Sequence, residues 1–221
     1  MLVNPENILI IIVVFLSYFL VSWVYKRLGV PNLESALKVR NGLRLLNLKH
    51  SLGIVLFGVL CFIALNHLGY LVTIVEIAKL YILIPFFILL IASTYVSWNT
   101  VKKVDAEDKS HYSFTNAWLY FFVRFTFLLC YEFFFRGVLL FTLLEYFGVI
   151  ESITLATFAY IIIHLFYSKK EIIGTIPFGI ILCYLTIETQ SIWYAFLMHL
   201  ALSAVYEISI FYQLTLKPLK S

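Results

Sequence analysis

The chain has 221 residues, 62% of them hydrophobic and only 13% charged, with a net charge of +4. Soluble domains carry about 25% charged residues, so this composition excludes an ordinary soluble enzyme and leaves no length for a sizeable soluble domain. The positive charge is spread between apolar runs, and nothing in its pattern points to nucleic-acid binding.

A membrane-crossing helix needs about 20 mostly apolar residues. By that measure the sequence predicts an all-α, polytopic transmembrane bundle forming one membrane domain over residues 1–221. Seven spans are expected, at about 8–25, 51–68, 80–98, 117–147, 150–167, 172–189 and 191–214. Residues 1–7 hold no Lys or Arg and the first run has no small-residue cleavage pattern, so a retained first helix is expected rather than a signal peptide. The stretch from Lys26 to His50 is basic, with spaced leucines at Leu33, Leu37, Leu43, Leu45, Leu46 and Leu48. It reads as a loop on the cytoplasmic side, with a short amphipathic surface helix as the alternative. Asn66 and His67 close the second run and are expected at the interface, and His111 falls in a charged, solvated loop. The fourth run is longer than a bilayer requires, which predicts tilt or extension beyond the surface.

The basic residues set an expected orientation. Lys26, Arg27, Lys38, Arg40, Arg44 and Lys49 precede the second span; Lys102, Lys103 and Lys109 follow the third; Lys169 and Lys170 follow the fifth; Lys217 and Lys220 follow the last. Seven spans put all of these on one side, giving an outside N-terminus and an inside C-terminus. Cys61, Cys130 and Cys183 lie in apolar runs at no zinc or redox spacing and read as small buried hydrophobes.

Against this apolar background a few ionisable residues stand out, because charge in hydrocarbon is costly and marks function. Glu132 and Arg136 are four apart on one helix face, glutamate first, the favourable order for an ion pair. His164 and His199 lie in two later spans. A histidine orients water, shuttles a proton or binds metal, and a buried glutamate acts as a base. In the last span His199, Ser203 and Glu207 follow at four-residue steps and form one polar stripe. It is expected to face the bundle interior, either lining a cleft or bonding neighbouring helices. These residues suit a hydrolase without a serine nucleophile; buried structural pairing and a small transporter are the other readings.

Three pieces carry a resemblance: Tyr131-Glu132-Phe133-Phe134-Phe135-Arg136-Gly137, then Tyr160-x-x-x-His164, then His199-x-x-x-Ser203. In this order they resemble the CPBP family, which holds the CAAX prenyl endopeptidases and the bacteriocin-processing and abortive-infection proteins. The family pattern is Glu-Glu-x-x-x-Arg, Phe-x-x-x-His and His-x-x-x-Asn or Asp. The resemblance covers about residues 115–207. It implies an intramembrane endopeptidase acting on a membrane-tethered, for instance prenylated, peptide in the lipid bilayer of a bacterial plasma membrane. Implied catalytic residues are Glu132, His164 and His199, with Tyr131, Arg136, Ser203 and Glu207 in support. In the implied roles Glu132 is the base, His164 holds the water, and His199 and Ser203 stabilise the oxyanion. A divalent metal such as zinc on His164 and His199 and a metal-free mechanism are both consistent with the family. The chain departs from the pattern at Tyr131, where the family has its water-activating glutamate. Neighbouring helix positions differ by about 100°, so Glu132 takes over that place only if the helix rotates or bulges locally. The rival expectation is a family member that lost catalysis and acts as a binding, immunity or regulatory membrane protein.

Overall fold

The computed structural model describes residues 5–73, 77–101, 112 and 117–216. His111 and Glu76 lie outside the described residues, as do Lys102, Lys103, Lys109, Lys217 and Lys220. Among the described residues every regular element is helical. The elements are α1 (Pro5–Arg27), α2 (Leu33–Lys38), α3 (Gly42–Ala64), a 3₁₀ segment (Asn66–Val72), α4 (Leu80–Val101), α5 (Ala117–Leu144), α6 (Val149–His164), α7 (Lys169–Thr189) and α8 (Trp193–Leu216). Six of these helices are long and apolar enough to cross a membrane, and α6 is a shorter apolar helix. This agrees with about seven membrane helices in an all-α, multi-pass protein. At about 1.5 Å per residue, the 16 residues of α6 reach about 24 Å, short of a hydrocarbon core of about 30 Å.

The largest departure from the sequence reading concerns the second span. It begins at Gly42, not near residue 51, so the expected loop up to His50 is mostly structured. The reason is a tight α2–α3 turn. Val39 caps α2, Asn41 takes the left-handed conformation (φ 62°), and Gly42 packs on the Ala36 carbonyl, where a Cβ would stand 2.1 Å from the oxygen. Leu33, Leu37, Leu43 and Leu46 are buried in a cluster with Tyr120, Ile210 and Phe211. Four of the six spaced leucines thus close one end of the protein core, Leu45 packs partly against it, Leu48 stays exposed, and Lys49 and His50 go inside. Asn66 and His67 are exposed.

α5 is the central helix. Every residue from Tyr131 to Val138 is buried, whereas α4 shows lipid-facing side chains such as Ile88, Ile91 and Tyr95. Glycines set the approach of α3 to α5. A Cβ on Gly53 would come 2.3 Å from the Phe127 ring, and one on Gly58 would come 2.5 Å from Cys130 Sγ. Small residues at helix contacts allow this backbone proximity in membranes. Phe57 of α3 then stacks on Phe134 of α5, with centroids 4.5 Å apart.

Both helices carry a π segment at this contact, Ile54–Leu60 in α3 and Phe133–Leu139 in α5. At the opposite end of α3, the 3₁₀ segment is tied to the start of α8. Ile192 N–H donates to the Leu71 carbonyl (3.0 Å), and the Trp193 indole N–H donates to the Val72 carbonyl. Ser97 of α4 donates to the Leu202 carbonyl of α8 (2.7 Å). These bonds hold α8 and its polar stripe against the centre.

Candidate active site

The site forms around the point where α5 changes helical period. Its π segment starts directly after Glu132, and i→i+5 bonding widens the turn at a place where such bulges often serve function. Because α5 is surrounded by protein here, Tyr131 and Glu132 both face inward, at 4% and 0% exposure. A lipid-facing helix would have to expose one of them.

Glu132 accepts a hydrogen bond from His199 Nδ1 on Oε1, at 2.5 Å. Its other oxygen lies 3.4 Å from Arg136 Nε, an ion pair within the widened turn. The Arg136 guanidinium lies 4.2 Å from the Tyr160 ring centroid, a cation–π contact. Yet Glu132 Oε2 and all three Arg136 nitrogens are buried without a hydrogen bond among the described residues. Such groups ordinarily find partners, so this ion pair retains unused bonding capacity.

His164 donates from Nδ1 to the Tyr160 carbonyl one turn earlier, at 2.8 Å. With Nδ1 committed to an acceptor on each histidine, Nε2 is the ring nitrogen left for a ligand on both His164 and His199. Tyr131 packs against both rings. Its ring meets His164 edge-on at 6.3 Å and His199 at 5.9 Å between centroids. Its buried hydroxyl has no hydrogen-bond partner among the described residues. Tyr160 packs on His164 at 4.4 Å and Phe178 on His199 at 5.6 Å.

Glu132, Arg136, His164, His199 and Tyr131 thus come together on α5, α6 and α8. Ser203, one turn beyond His199, is buried as well. Glu207 is committed elsewhere. It accepts from Arg124 Nε at 2.9 Å and from the Tyr120 hydroxyl at 2.8 Å, and Arg124 Nη2 lies 2.9 Å from its Oε1. The polar stripe of α8 faces the interior but splits between two clusters.

The donor set does not suit a resident zinc. Catalytic zinc takes three protein ligands and an open position, and among the described residues no group of three or more His, Cys, Asp or Glu side chains is placed to hold a metal. The one nearby carboxylate is spent on Nδ1 of His199 and on Arg136. It orients an imidazole and is not free as a third ligand.

Sequence reasoning passed over Tyr167 and read Lys49 only as a basic residue of the first loop. Tyr167 packs on His164, with centroids 5.5 Å apart, and Lys49 Nζ contacts the Tyr167 hydroxyl at 3.4 Å. The signal was present in the leucine spacing of residues 33–48, which is that of buried helices as much as of a surface one.

Fold and site together define an integral, multi-pass membrane protein with a buried Glu–Arg–His–His cluster. Residues 113–205 match the family model described as type II CAAX prenyl endopeptidase Rce1-like. The match supports the resemblance to the CPBP family over the stretch that carries all three motifs, less than half of the chain. No curated protein and no solved structure matches the chain.

Proposed function

We propose that the chain is a CAAX-protease-like intramembrane endopeptidase that cleaves a membrane-tethered peptide, for instance a prenylated one, in a bacterial plasma membrane. The family match suggests this activity at the level of the family. The observation that carries it to this chain is the Glu132–His199 hydrogen bond. Despite Tyr131, a carboxylate remains coupled to a histidine in the buried centre.

The chemistry follows from that bond. Glu132 fixes His199 with its proton on Nδ1 and stabilises the imidazolium, the part a carboxylate plays beside a catalytic histidine. His199 Nε2 takes a proton from water as the water oxygen adds to the scissile carbonyl carbon. His164 Nε2 orients that water through its second hydrogen. His199 then returns the proton to the leaving nitrogen as the C–N bond breaks. Arg136 keeps Glu132 charged. The Tyr131 and Ser203 hydroxyls are donors for the oxyanion. No step runs through a metal. In this scheme the base is the Glu132–His199 pair, so Glu132 need not occupy the place of residue 131.

Tyr131 favours a second reading, a family member that binds without cleaving, because its ring packs edge-on against both imidazoles where the family has a glutamate. One assay separates the two. The protein is reconstituted in liposomes with a prenylated reporter peptide, and products are followed by mass spectrometry for the natural chain and for Tyr131→Glu. Cleavage by the natural chain supports the endopeptidase. A silent natural chain and an active Tyr131→Glu variant support the non-cleaving reading.

A further inference from the structure

Phe57 of α3 is fully buried. Tyr18 of α1 backs its ring, with centroids 4.6 Å apart. On its other side lies α5. Phe134 stacks on it at 4.5 Å, and Tyr131 and Phe135 meet it edge-on at 5.7 and 5.8 Å. Phe127 follows at 6.4 Å. Residues 127, 131, 134 and 135 stand at i, i+4, i+7 and i+8, the spacing of one helix face. That face of α5 is therefore turned to Phe57.

Glu132 follows Tyr131 and is displaced from it by about 100° around the helix axis. With the aromatic face set against α3, this displacement carries Glu132 to the His199 imidazole of α8. The π segment starts at the next residue, Phe133. A π turn is rarer than the α turn it replaces, so contacts outside the backbone must hold it. Two of the residues that Phe57 contacts, Phe134 and Phe135, lie in that segment. The approach of the two helices leaves little slack, since a Cβ on Gly58, next to Phe57, would stand 2.5 Å from Cys130 Sγ.

We propose that Phe57 is a positioning residue: its ring fixes the rotation of α5 at the π segment and so aims Glu132 at Nδ1 of His199. The effect on catalysis rests on the endopeptidase reading, whereas the aim of Glu132 belongs to the resting chain. Phe57 lies outside residues 113–205, the stretch that matches the family model. The first half of the chain thus acts on the site through α3.

The test reads His199 itself. The full chain, ¹⁵N-histidine-labelled in lipid, is compared by solid-state NMR with Phe57→Leu, Phe57→Met and the control Phe211→Leu. Phe211 is as deeply buried, on the same helix as His199, and belongs to a different core cluster, where it packs on Phe121 at 5.8 Å. Both leucine variants should lower the melting temperature. The Nδ1 signal of His199 is expected to move in Phe57→Leu and Phe57→Met, in the direction it takes in Glu132→Gln, and to stay in place in Phe211→Leu. In proteoliposomes Phe57→Leu should lower kcat about 10- to 100-fold, the scale of a small misplacement of a reacting group, with KM within a few-fold. On a Glu132→Gln background the same replacement should add little, as for residues acting through one contact. A His199 signal unmoved in both Phe57 variants, or moved equally by Phe211→Leu, overturns the proposal. So does failure of both Phe57 variants to fold, which would make the ring a general core residue. A signal that moves as expected in a chain that cleaves nothing upholds the positioning and fails the endopeptidase reading alone.

Discussion

α5 and α8 are joined by two buried acid–base clusters of opposite character. At one, Glu207 of α8 meets Arg124 and Tyr120 of α5 in three short contacts. At the other, Glu132 of α5 meets His199 of α8, and the Arg136 guanidinium finds no hydrogen bond among the described residues. The first cluster has little bonding capacity left for a ligand and serves as a tie between helices. The second holds its Glu132–Arg136 pair through one 3.4 Å contact and keeps a tyrosine hydroxyl without a hydrogen bond among the described residues, with Nε2 of both histidines left over. Partial satisfaction is costly in a protein interior; under the proposed function, water and a peptide complete the set.

The comparison is sharpened first by removing His199. His199→Ala should lower the cleavage rate about 10²- to 10⁴-fold, the usual contribution of a positioned acid–base group. Glu207→Gln should leave the rate within a few-fold, and peptide turnover in proteoliposomes reads both. A loss with Glu207→Gln as large as that with His199→Ala would erase the distinction between the clusters. Stability should move the other way. Taking one partner from a buried ion pair costs about 3–5 kcal/mol, so Glu207→Gln should lower the detergent-solubilised melting temperature markedly. A double replacement, Arg124→Met with Glu207→Leu, should recover most of it.

A smaller effect is expected where α3 meets α5. Gly53→Ala forces a methyl against the Phe127 ring and should cost about 1–3 kcal/mol by overpacking, measured by thermal unfolding. Smallest is Tyr131→Phe. It removes a buried hydroxyl that has no partner among the described residues and should stabilise the resting protein by about 1 kcal/mol. The same variant should slow turnover if the hydroxyl serves the oxyanion. Unchanged turnover would leave Tyr131 a filler against the imidazoles.

Much of the fold was legible because membrane helices declare themselves by length and apolarity. The expected spans near 80–98, 117–147, 172–189 and 191–214 overlap α4, α5, α7 and α8 closely. The start of α3 was not, because Lys49 and His50 look like loop residues until the leucines around them are seen to be buried. In the site, the sequence order supplied Glu132, Arg136, His164 and His199. It did not reveal which carboxylate meets which histidine. A straight helix would set Tyr131 and Glu132 on different faces, while the π segment and the complete enclosure of α5 bring both inward. Likewise Glu207 follows His199 on one face of α8, yet Arg124 claims it, a long-range contact invisible in the periodicity.

The central claim is that Glu132 holds His199 through Nδ1 and leaves Nε2 free for proton transfer. Solid-state NMR of the ¹⁵N-histidine-labelled protein in lipid tests it directly, with His199 assigned by its loss in His199→Ala. The account predicts a protonated, strongly hydrogen-bonded Nδ1 and an unprotonated Nε2, with the Nδ1 signal shifting in Glu132→Gln. A His199 whose proton resides on Nε2, or whose Nδ1 signal ignores Glu132→Gln, would contradict it.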